Sequence, residues 1–264
     1  MSLKKWPAIS VLACILICSL SAAPQESHPT FGNAATVPLS ADEVARKLQE
    51  RNRERAEALR EFQGTRIYRM EYRGFPSDRE AEMVVNMSYR FPDKKEFTIV
   101  SESGSKFVID RVFKKLLEGE EEAADQENQR HTALSLENYD FQMSGYENTD
   151  SGACYVLEVA PKSKNKFLYR GKIWVNAKDF AVTRIEAQPA KNPSFWIKKT
   201  DIEHKYVKVD DFWLPAENHS ESLIRLGGRA TLTINYKDYK VLAAQPINRI
   251  KSSDAAVASA SAAK

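Results

Sequence analysis

The sequence predicts a mainly β protein, an antiparallel meander of about ten strands with two helices covering one side of a curved sheet. Apolar and polar residues alternate in short runs after residue 66, and the turns between the runs are polar or contain glycine. Only two segments, near residues 40–64 and 106–128, show helical spacing. Two helices are too few to make the crossover connections of a parallel sheet, so the strands are expected to follow one another as hairpins.

The two ends of the chain are expected to lie outside the folded domain. Residues 1–22 combine a basic start, a short apolar run and small residues, which is typical of a cleaved signal peptide. An uncleaved membrane anchor and lipidation at Cys14 are the alternatives, although the run is short for a bilayer span. Residues 23–39 are predicted to be a flexible leader and residues 250–264 a disordered tail, which leaves residues 40–249 as the domain.

Charge and cysteine content argue against a nucleic-acid-binding protein and against a domain held together by disulfide bonds. Lys4 and Lys5 are the only charged residues of the predicted signal peptide, so its removal changes 39 basic and 36 acidic residues to 37 and 36. A nearly neutral chain is not expected to bind nucleic acid. Cys14 and Cys18 would leave with the signal peptide, and Cys154 alone cannot form an intramolecular disulfide. We expect Cys154 to behave as a small buried apolar residue.

The first helix has a clear beginning. Ser40 followed by Glu43 forms a capping box, in which each side chain accepts a hydrogen bond from an otherwise unpaired amide. Gly64 is predicted to end the helix. One apolar stripe on a largely basic helix indicates that it lies on the sheet; the stripe consists of Val44, Leu48, Leu59 and Phe62.

The first three strands follow directly. They are predicted at residues 66–72, at 81–91, and around Phe97 and Ile99. One face of the second strand is wholly apolar; it consists of Ala81, Met83, Val85, Met87, Tyr89 and Phe91.

Residues 106–128 fit a second helix, although their first few residues could instead form a short strand. The apolar positions of this helix are Ile109, Val112, Phe113, Leu116 and Leu117. The acidic run at residues 118–125 is interpreted as a solvated helix face.

The remaining chain is β again. Strands are predicted at residues 138–147, 153–160, 167–176, 180–188, 200–209, 212–222 and 229–241. In the hairpin of residues 167–189, strict alternation places Ile173 and Val175 on one face of the first arm. In the second arm it places Val182 and Ile185 on opposite faces.

The sequence holds no motif for catalysis or for a cofactor. The four histidines, at positions 28, 131, 204 and 219, have no metal-ligand spacing. No nucleophile motif or phosphate-binding glycine loop is present. A catalytic pair of carboxylates for glycoside cleavage remains an open alternative, because acidic residues are abundant. We therefore expect no catalytic residue, no metal and no cofactor.

Two apolar features remain. The first is the apolar face of the second strand with Met70, Met83 and Met87, which is either ordinary core or a flexible surface for acyl chains. The second is the loop that holds Phe195, Trp196 and Lys198. It either contacts a membrane or a partner, or packs against the rim of the core.

Several segments resemble a known family. They are residues 41–44 leading to Phe62-Gln63-Gly64-Thr65, the hairpin at residues 171–186, and the turn at residues 209–215 with Trp213-Leu214-Pro215. Together they resemble the outer-membrane lipoprotein-sorting proteins, the LolA/LolB-like carriers and the related RseB/MucB-type periplasmic sensors. The likeness implies an open antiparallel half-barrel of about 10–11 strands, whose concave apolar face holds lipid or lipoprotein acyl chains under helical lids. No arginine of this chain matches the functional arginine of the family.

The leading hypothesis is a periplasmic, non-catalytic carrier for lipoprotein acyl chains or lipids that passes its cargo to an inner- or outer-membrane partner protein. The alternatives are an envelope-stress sensor of the RseB/MucB type and a secreted hydrolase. The trough is predicted at Met70, Met83, Val85, Met87, Tyr89, Phe97, Ile99, Ile173, Val175 and Ile185. The helical lid is predicted at Val44, Leu48, Phe113, Leu116 and Leu117, and contact with a partner or membrane at Phe195, Trp196 and Lys198.

Overall fold

Ten antiparallel strands form one open sheet in the computed structural model, which describes residues 39–123, 130–165, 167–192, 194–225 and 227–247. The strands are β1 (Leu59–Gly74), β2 (Arg79–Arg90), β3 (Lys94–Gly104), β4 (Tyr139–Thr149), β5 (Gly152–Pro161), β6 (Tyr169–Asn176), β7 (Val182–Pro189), β8 (Ile197–Val209), β9 (Phe212–Ile224) and β10 (Gly228–Ala244). Their order is β3-β2-β1-β10-β9-β8-β7-β6-β5-β4. The sheet is not closed into a barrel, and the predicted mainly β half-barrel is confirmed. The predicted signal peptide, the tail and nearly all of the leader lie outside the described residues.

Helix α1 (Ala41–Ala58) begins as predicted and ends earlier than predicted. Ser40 and Glu43 form the expected capping box, with the Ser40 amide donating to Glu43 Oε2 at 2.7 Å. The chain turns into β1 at Leu59, so the prediction that Gly64 ends the helix is wrong. Gly64 lies inside β1, where an added Cβ would come within 2.9 Å of a Tyr239 ring carbon. The glycine thus lets an aromatic ring pack directly on the strand.

The second helix is continuous but not uniform. It consists of α2 (Lys106–Val108), a π-helical segment (Ile109–Phe113) and α3 (Lys114–Ala123), which together are called the second helix below. The open alternative of a short strand at its start is therefore settled in favour of helix. A π-helical segment carries one extra residue per turn and often occurs at functional positions in helices.

The helices cover one face of the sheet, called the inner face below. The second helix packs on β1, β2 and β10, where its apolar residues join Tyr68, Met70, Met83 and Val85. Helix α1 packs on β4–β7 through Val44 and Leu48, which join a separate cluster. The buried members of that cluster in the sheet are Tyr139, Leu157, Val159, Tyr169, Ile173, Val175, Val182, Ile185 and Ala187.

The hairpin of β6 and β7 departs from strict alternation. The register shifts between Trp174 and Val175, so that Val175 pairs with Val182 while Trp174 pairs with Arg184. This bulge puts Val182 and Ile185 in the same inner cluster, and the prediction of opposite faces is wrong. On the outer face, Trp174 packs with Cys154, which is fully buried.

Candidate functional site

A cavity of about 160 Å³ lies between α1 and the inner face. Its walls come from α1, from β1–β3 on one side and from β7–β10 on the other. Most of the lining is apolar or aromatic; it includes Phe62, Met87, Tyr89, Phe212, Leu214 and Tyr239. An apolar cavity of about this size accommodates one benzene-sized group, so in this conformation the cavity has room for only a short apolar segment.

The structure divides the predicted trough residues between this cavity and the core. Of the ten, Met87 and Tyr89 line the cavity. The others under the helices are packed core; these are Met70, Met83 and Val85 under the second helix, and Ile173, Val175 and Ile185 under α1. Phe97 is partly buried beside the core, whereas Ile99 on the edge strand is 40% exposed. The predicted lid residues are all buried at the contacts of the helices with the sheet; they are Val44, Leu48, Phe113, Leu116 and Leu117.

A buried ion pair joins the sheet to the second helix at the edge of the cavity. Arg66 Nη1, on the inner face of β1, donates to Glu120 Oε2 at 2.5 Å, and both side chains are at most 5% exposed. The Tyr68 hydroxyl also contacts Glu120, at 3.4 Å. The interpretation of the whole acidic run as a solvated face is therefore wrong, since Glu120 points to the core while Glu118 is exposed.

Aromatic rings surround the Arg66 guanidinium. Phe97 and Tyr236 each lie with their ring centroid 5.2 Å from its central carbon. Burial by itself lowers the pKa of Arg66, but the Glu120 carboxylate together with Tyr68 and Tyr236 outweighs burial and holds that pKa well above its usual value. The guanidinium therefore stays charged inside a largely apolar environment.

Lys95 brings a second buried cation to the same cavity. Its ammonium nitrogen is buried and has no hydrogen-bond partner among the described residues, and Arg66 Nε is in the same situation. Burial lowers the pKa of Lys95 to about 8, against the opposing effect of Glu120. Two cations and one carboxylate thus face one another at this end of the cavity.

Helix α1 is fastened by hydrogen bonds to main-chain oxygens. Arg55, near its end, donates to the main-chain oxygens of Asp179 at 2.9 Å and Phe180 at 2.8 Å. Phe180 has a positive φ of 45°, which turns its carbonyl within reach of the helix. The carboxylate of Asp179 accepts hydrogen bonds from Lys208 and Trp213, so the β6–β7 turn links α1 to β8 and β9.

The centre of the inner face is polar. His204, Asn218 and Ser220 are buried on β8 and β9. Burial lowers the pKa of His204 to about 4, so this imidazole is neutral at ordinary pH.

The predicted contact loop is partly exposed. Phe195 is 72% exposed, packs edge-on against Trp196 with ring centroids 5.5 Å apart, and lies against the Arg225 guanidinium. Lys198 is exposed as well, while Ile197 is buried as the first residue of β8.

The outer face carries a wider groove of about 870 Å³ with charged walls. Among its carboxylates, Glu186 and Glu203 form ion pairs with Arg184. His219 Nδ1 lies 3.2 Å from the Thr233 hydroxyl, across neighbouring strands. The two residues are direct partners in the register of β9 and β10, so their contact is a cross-strand pair within the sheet.

Sequence reasoning missed the buried cluster of Arg66, Lys95 and Glu120 at the edge of the cavity, although the positions of these residues carry a signal. Arg66 lies in the same alternating row of β1 as Phe62, Tyr68 and Met70, and Lys95 lies two residues before Phe97. Glu120 follows Leu116 by four residues, in phase with the apolar stripe of its helix. A charge in phase with an apolar row indicates a buried polar contact.

Among the described residues, no helix has the length and hydropathy to cross a membrane, and no group of histidine, cysteine and acidic side chains is arranged to hold a metal ion.

Comparisons with known proteins give the following matches. A family of unknown function, DUF5686, matches residues 132–239, less than half of the chain. A search of curated proteins found no match. The structure is similar to that of a LolA superfamily protein from Nitrosomonas europaea, with 12% identity, a TM-score of 0.34, and coverage of 77% of this chain and 94% of the other.

Two further solved structures are similar in the same way. A putative outer membrane lipoprotein-sorting protein domain from Vibrio parahaemolyticus has 11% identity and a TM-score of 0.38, with coverage of 77% of this chain and 94% of the other. The MucA/MucB complex of Pseudomonas aeruginosa has 9% identity and a TM-score of 0.24, with coverage of 77% and 99%.

Proposed function

We propose that this protein is a non-catalytic carrier that binds acyl chains of lipids or lipoproteins on the inner face of its sheet. The observation that carries the proposal is the aromatic-lined cavity beneath α1, which continues the apolar row of β2. Binding draws on apolar area, at about 0.8 kcal/mol for each buried methylene group. A site of this kind needs shape and apolar surface rather than reactive groups.

The second helix is proposed to be the lid. Along β2, Met83 and Val85 lie under this helix, whereas Met87 and Tyr89 already face the cavity. The row from Ala81 to Tyr89 extends over about 27 Å at 3.4 Å per residue. One leaflet of a bilayer core is about 15 Å thick, so displacement of the helix would create a trough long enough for one acyl chain. Arg66 touches both the cavity and the lid.

Delivery in the periplasm belongs to the same proposal. It is supported by the predicted signal peptide at residues 1–22 and by the resemblance to lipoprotein-sorting proteins. Handover would involve a membrane partner protein.

Mass spectrometry of organic extracts from gently purified full-length protein tests the proposal. We expect co-purified lipid or saturable binding of a fluorescent acyl probe. Leu214→Trp, at a buried position lining the cavity, should weaken probe binding, and Leu242→Trp, at a 53% exposed position, should not. Absence of lipid together with absence of probe binding would refute the proposal.

A second candidate function is favoured by one observation. The exposed Phe195, held in place by Arg225, forms an apolar and basic patch suited to a membrane-associated partner. A sensor of the RseB/MucB type would bind such a partner through this loop. Capture of one membrane protein that is lost in Phe195→Ala and kept in Leu214→Trp would support it over the carrier function.

A further inference from the structure

The buried charges at the cavity do not balance. Among the described residues at this end of the inner face, the Arg66 guanidinium and the Lys95 ammonium are opposed by the carboxylate of Glu120. A buried charge that lacks a partner is strongly unfavourable, because it loses its hydration without compensation. A protein that keeps such a group beside an apolar cavity gains if a ligand supplies the missing charge.

The donors are also placed to receive a ligand. Lys95 Nζ and Arg66 Nε are buried nitrogen atoms without a hydrogen-bond partner among the described residues, and both side chains line the cavity. A different nitrogen of Arg66, Nη1, donates hydrogen bonds to Glu120 and to the Tyr68 hydroxyl. Two N–H donors from neighbouring cations match the two oxygens of a carboxylate.

The remaining lining shows where the part of the chain next to the head would lie, before the trough that displacement of the second helix opens along β2. From Lys95 the cavity extends past Phe62 and Met87 to Leu214 and Val182 on the other side. This path is mainly apolar and suits an alkyl chain, with Asn52 and Arg55 of α1 as polar members of its wall. The net excess of one positive charge favours a head with one negative charge over a phosphate monoester, which carries about two.

We propose that the cavity selects single-chain amphiphiles with a carboxylate head, such as long-chain fatty acids, and that Lys95 and Arg66 bind the head. This inference rests on the acyl-chain binding proposed above and specifies its ligand. At neutral pH most Lys95 side chains carry a proton, since burial lowers the pKa only to about 8. Lys95 is thus available as a cation to the ligand.

Three probes with the same chain and different heads test the inference. Dodecanoate, dodecanol and dodecylammonium are titrated into the purified full-length protein at pH 7 by calorimetry, with the two ions below their micelle concentrations and dodecanol below its solubility limit. We expect dodecanoate to bind at least about 10-fold more tightly than dodecanol, because a hydrogen bond to a charged group contributes about 1.5–3 kcal/mol. Dodecylammonium should bind most weakly.

Two variants make the result specific. Lys95→Met should reduce the preference for dodecanoate over dodecanol to about 3-fold or less, while dodecanol binds as before. Lys94→Met is the matched control, because the adjacent Lys94 side chain is 58% exposed and pairs with Glu96; it should keep the full preference. If Lys95→Met does not fold, the preference measured in the unmodified protein decides alone.

The outcomes separate the inference from the proposed function. Equal affinity for dodecanoate and dodecanol, or an unchanged preference in Lys95→Met, would overturn the carboxylate inference and leave acyl-chain binding intact. No binding of any of the three probes would overturn both.

Discussion

The two helices that cover the inner face are held in different ways. Helix α1 contributes Val44 and Leu48 to an apolar cluster and is fastened by Arg55 to main-chain oxygens. The second helix also packs through apolar residues, but its fastening is the buried pair of Arg66 and Glu120. A buried pair adds little net stability while intact, yet loss of one partner is costly.

This difference suggests separate roles for the two helices. The contact of α1 depends on apolar area and on a turn that is itself linked to β8 and β9, so α1 is expected to act as a fixed wall. The second helix adds to its apolar contacts one buried ion pair, and a competing anion could displace the Glu120 carboxylate of this pair from Arg66. The second helix also contains a π-helical segment, and it is therefore the part expected to move.

The largest expected effect is that of breaking the buried pair. Glu120→Ala should lower the free energy of unfolding by about 3–5 kcal/mol, because Arg66 would stay buried without its carboxylate. Chemical denaturation measures this loss. Glu118→Ala, at an exposed position of the same helix, should change stability by less than about 0.5 kcal/mol.

The double variant Arg66→Met with Glu120→Leu sharpens that result. It replaces the pair with apolar groups and should recover most of the lost stability. If Glu120→Ala were as harmless as Glu118→Ala, the pair would not hold the second helix.

The second-largest expected loss of stability comes from a change in α1, the fixed wall. Leu48→Ala should cost about 2–5 kcal/mol, since the Leu48 side chain is fully buried and its removal leaves a cavity. Glu50→Ala, at an exposed position of α1, is the control. Amide exchange of residues 106–123 should be unaffected by Leu48→Ala under native conditions, and selective loss of protection there would contradict the separation of the two helices.

The stability of the protein should depend on pH through Lys95, which lies in the cavity. The pKa of Lys95 in the folded protein is about 8 instead of 10.5, so between these values only the unfolded chain keeps the proton, and stability rises with pH. Below pH 8 the buried cation costs up to about 3 kcal/mol. Lys95→Met should therefore stabilise the ligand-free protein at pH 7, and the gain should disappear by about pH 10.5. Denaturation midpoints at several pH values measure the gain, and a gain that is constant with pH would contradict this account.

The smallest effect is expected at the fastening of α1. Arg55→Ala should cost about 1.5 kcal/mol, because two main-chain oxygens lose a charged donor while the apolar contacts of α1 remain. Arg46→Ala, at an exposed position of the same helix, is the control for removal of positive charge. A loss as large as that of Glu120→Ala would mean that both helices depend equally on charge.

Alternation and capping predicted most of the architecture. The capping box at Ser40 and the rows of alternating residues give the start of α1 and all ten strands, because these patterns are local. The end of α1 could not be predicted in this way. Gly64 looks like a helix terminator, yet its role is to admit the ring of Tyr239, which lies far away in sequence.

The site was less accessible to sequence reasoning. An apolar row on β2 is predicted correctly, but the sequence cannot divide it into core under the second helix and cavity beyond it, because that depends on where the helix packs. Arg66, Lys95 and Glu120 meet from three separate elements. Each was in phase with apolar neighbours, and only the fold shows that they face one another.

Hydrogen exchange of the full-length protein with and without dodecanoate tests the central claim most directly, since it reports on both helices at once. The account predicts that the ligand changes amide exchange in residues 106–123 at the lid much more than in residues 41–58, which form a fixed wall of the cavity. Ligand binding that leaves residues 106–123 unchanged, or that alters residues 41–58 instead, would contradict the assignment of lid and wall.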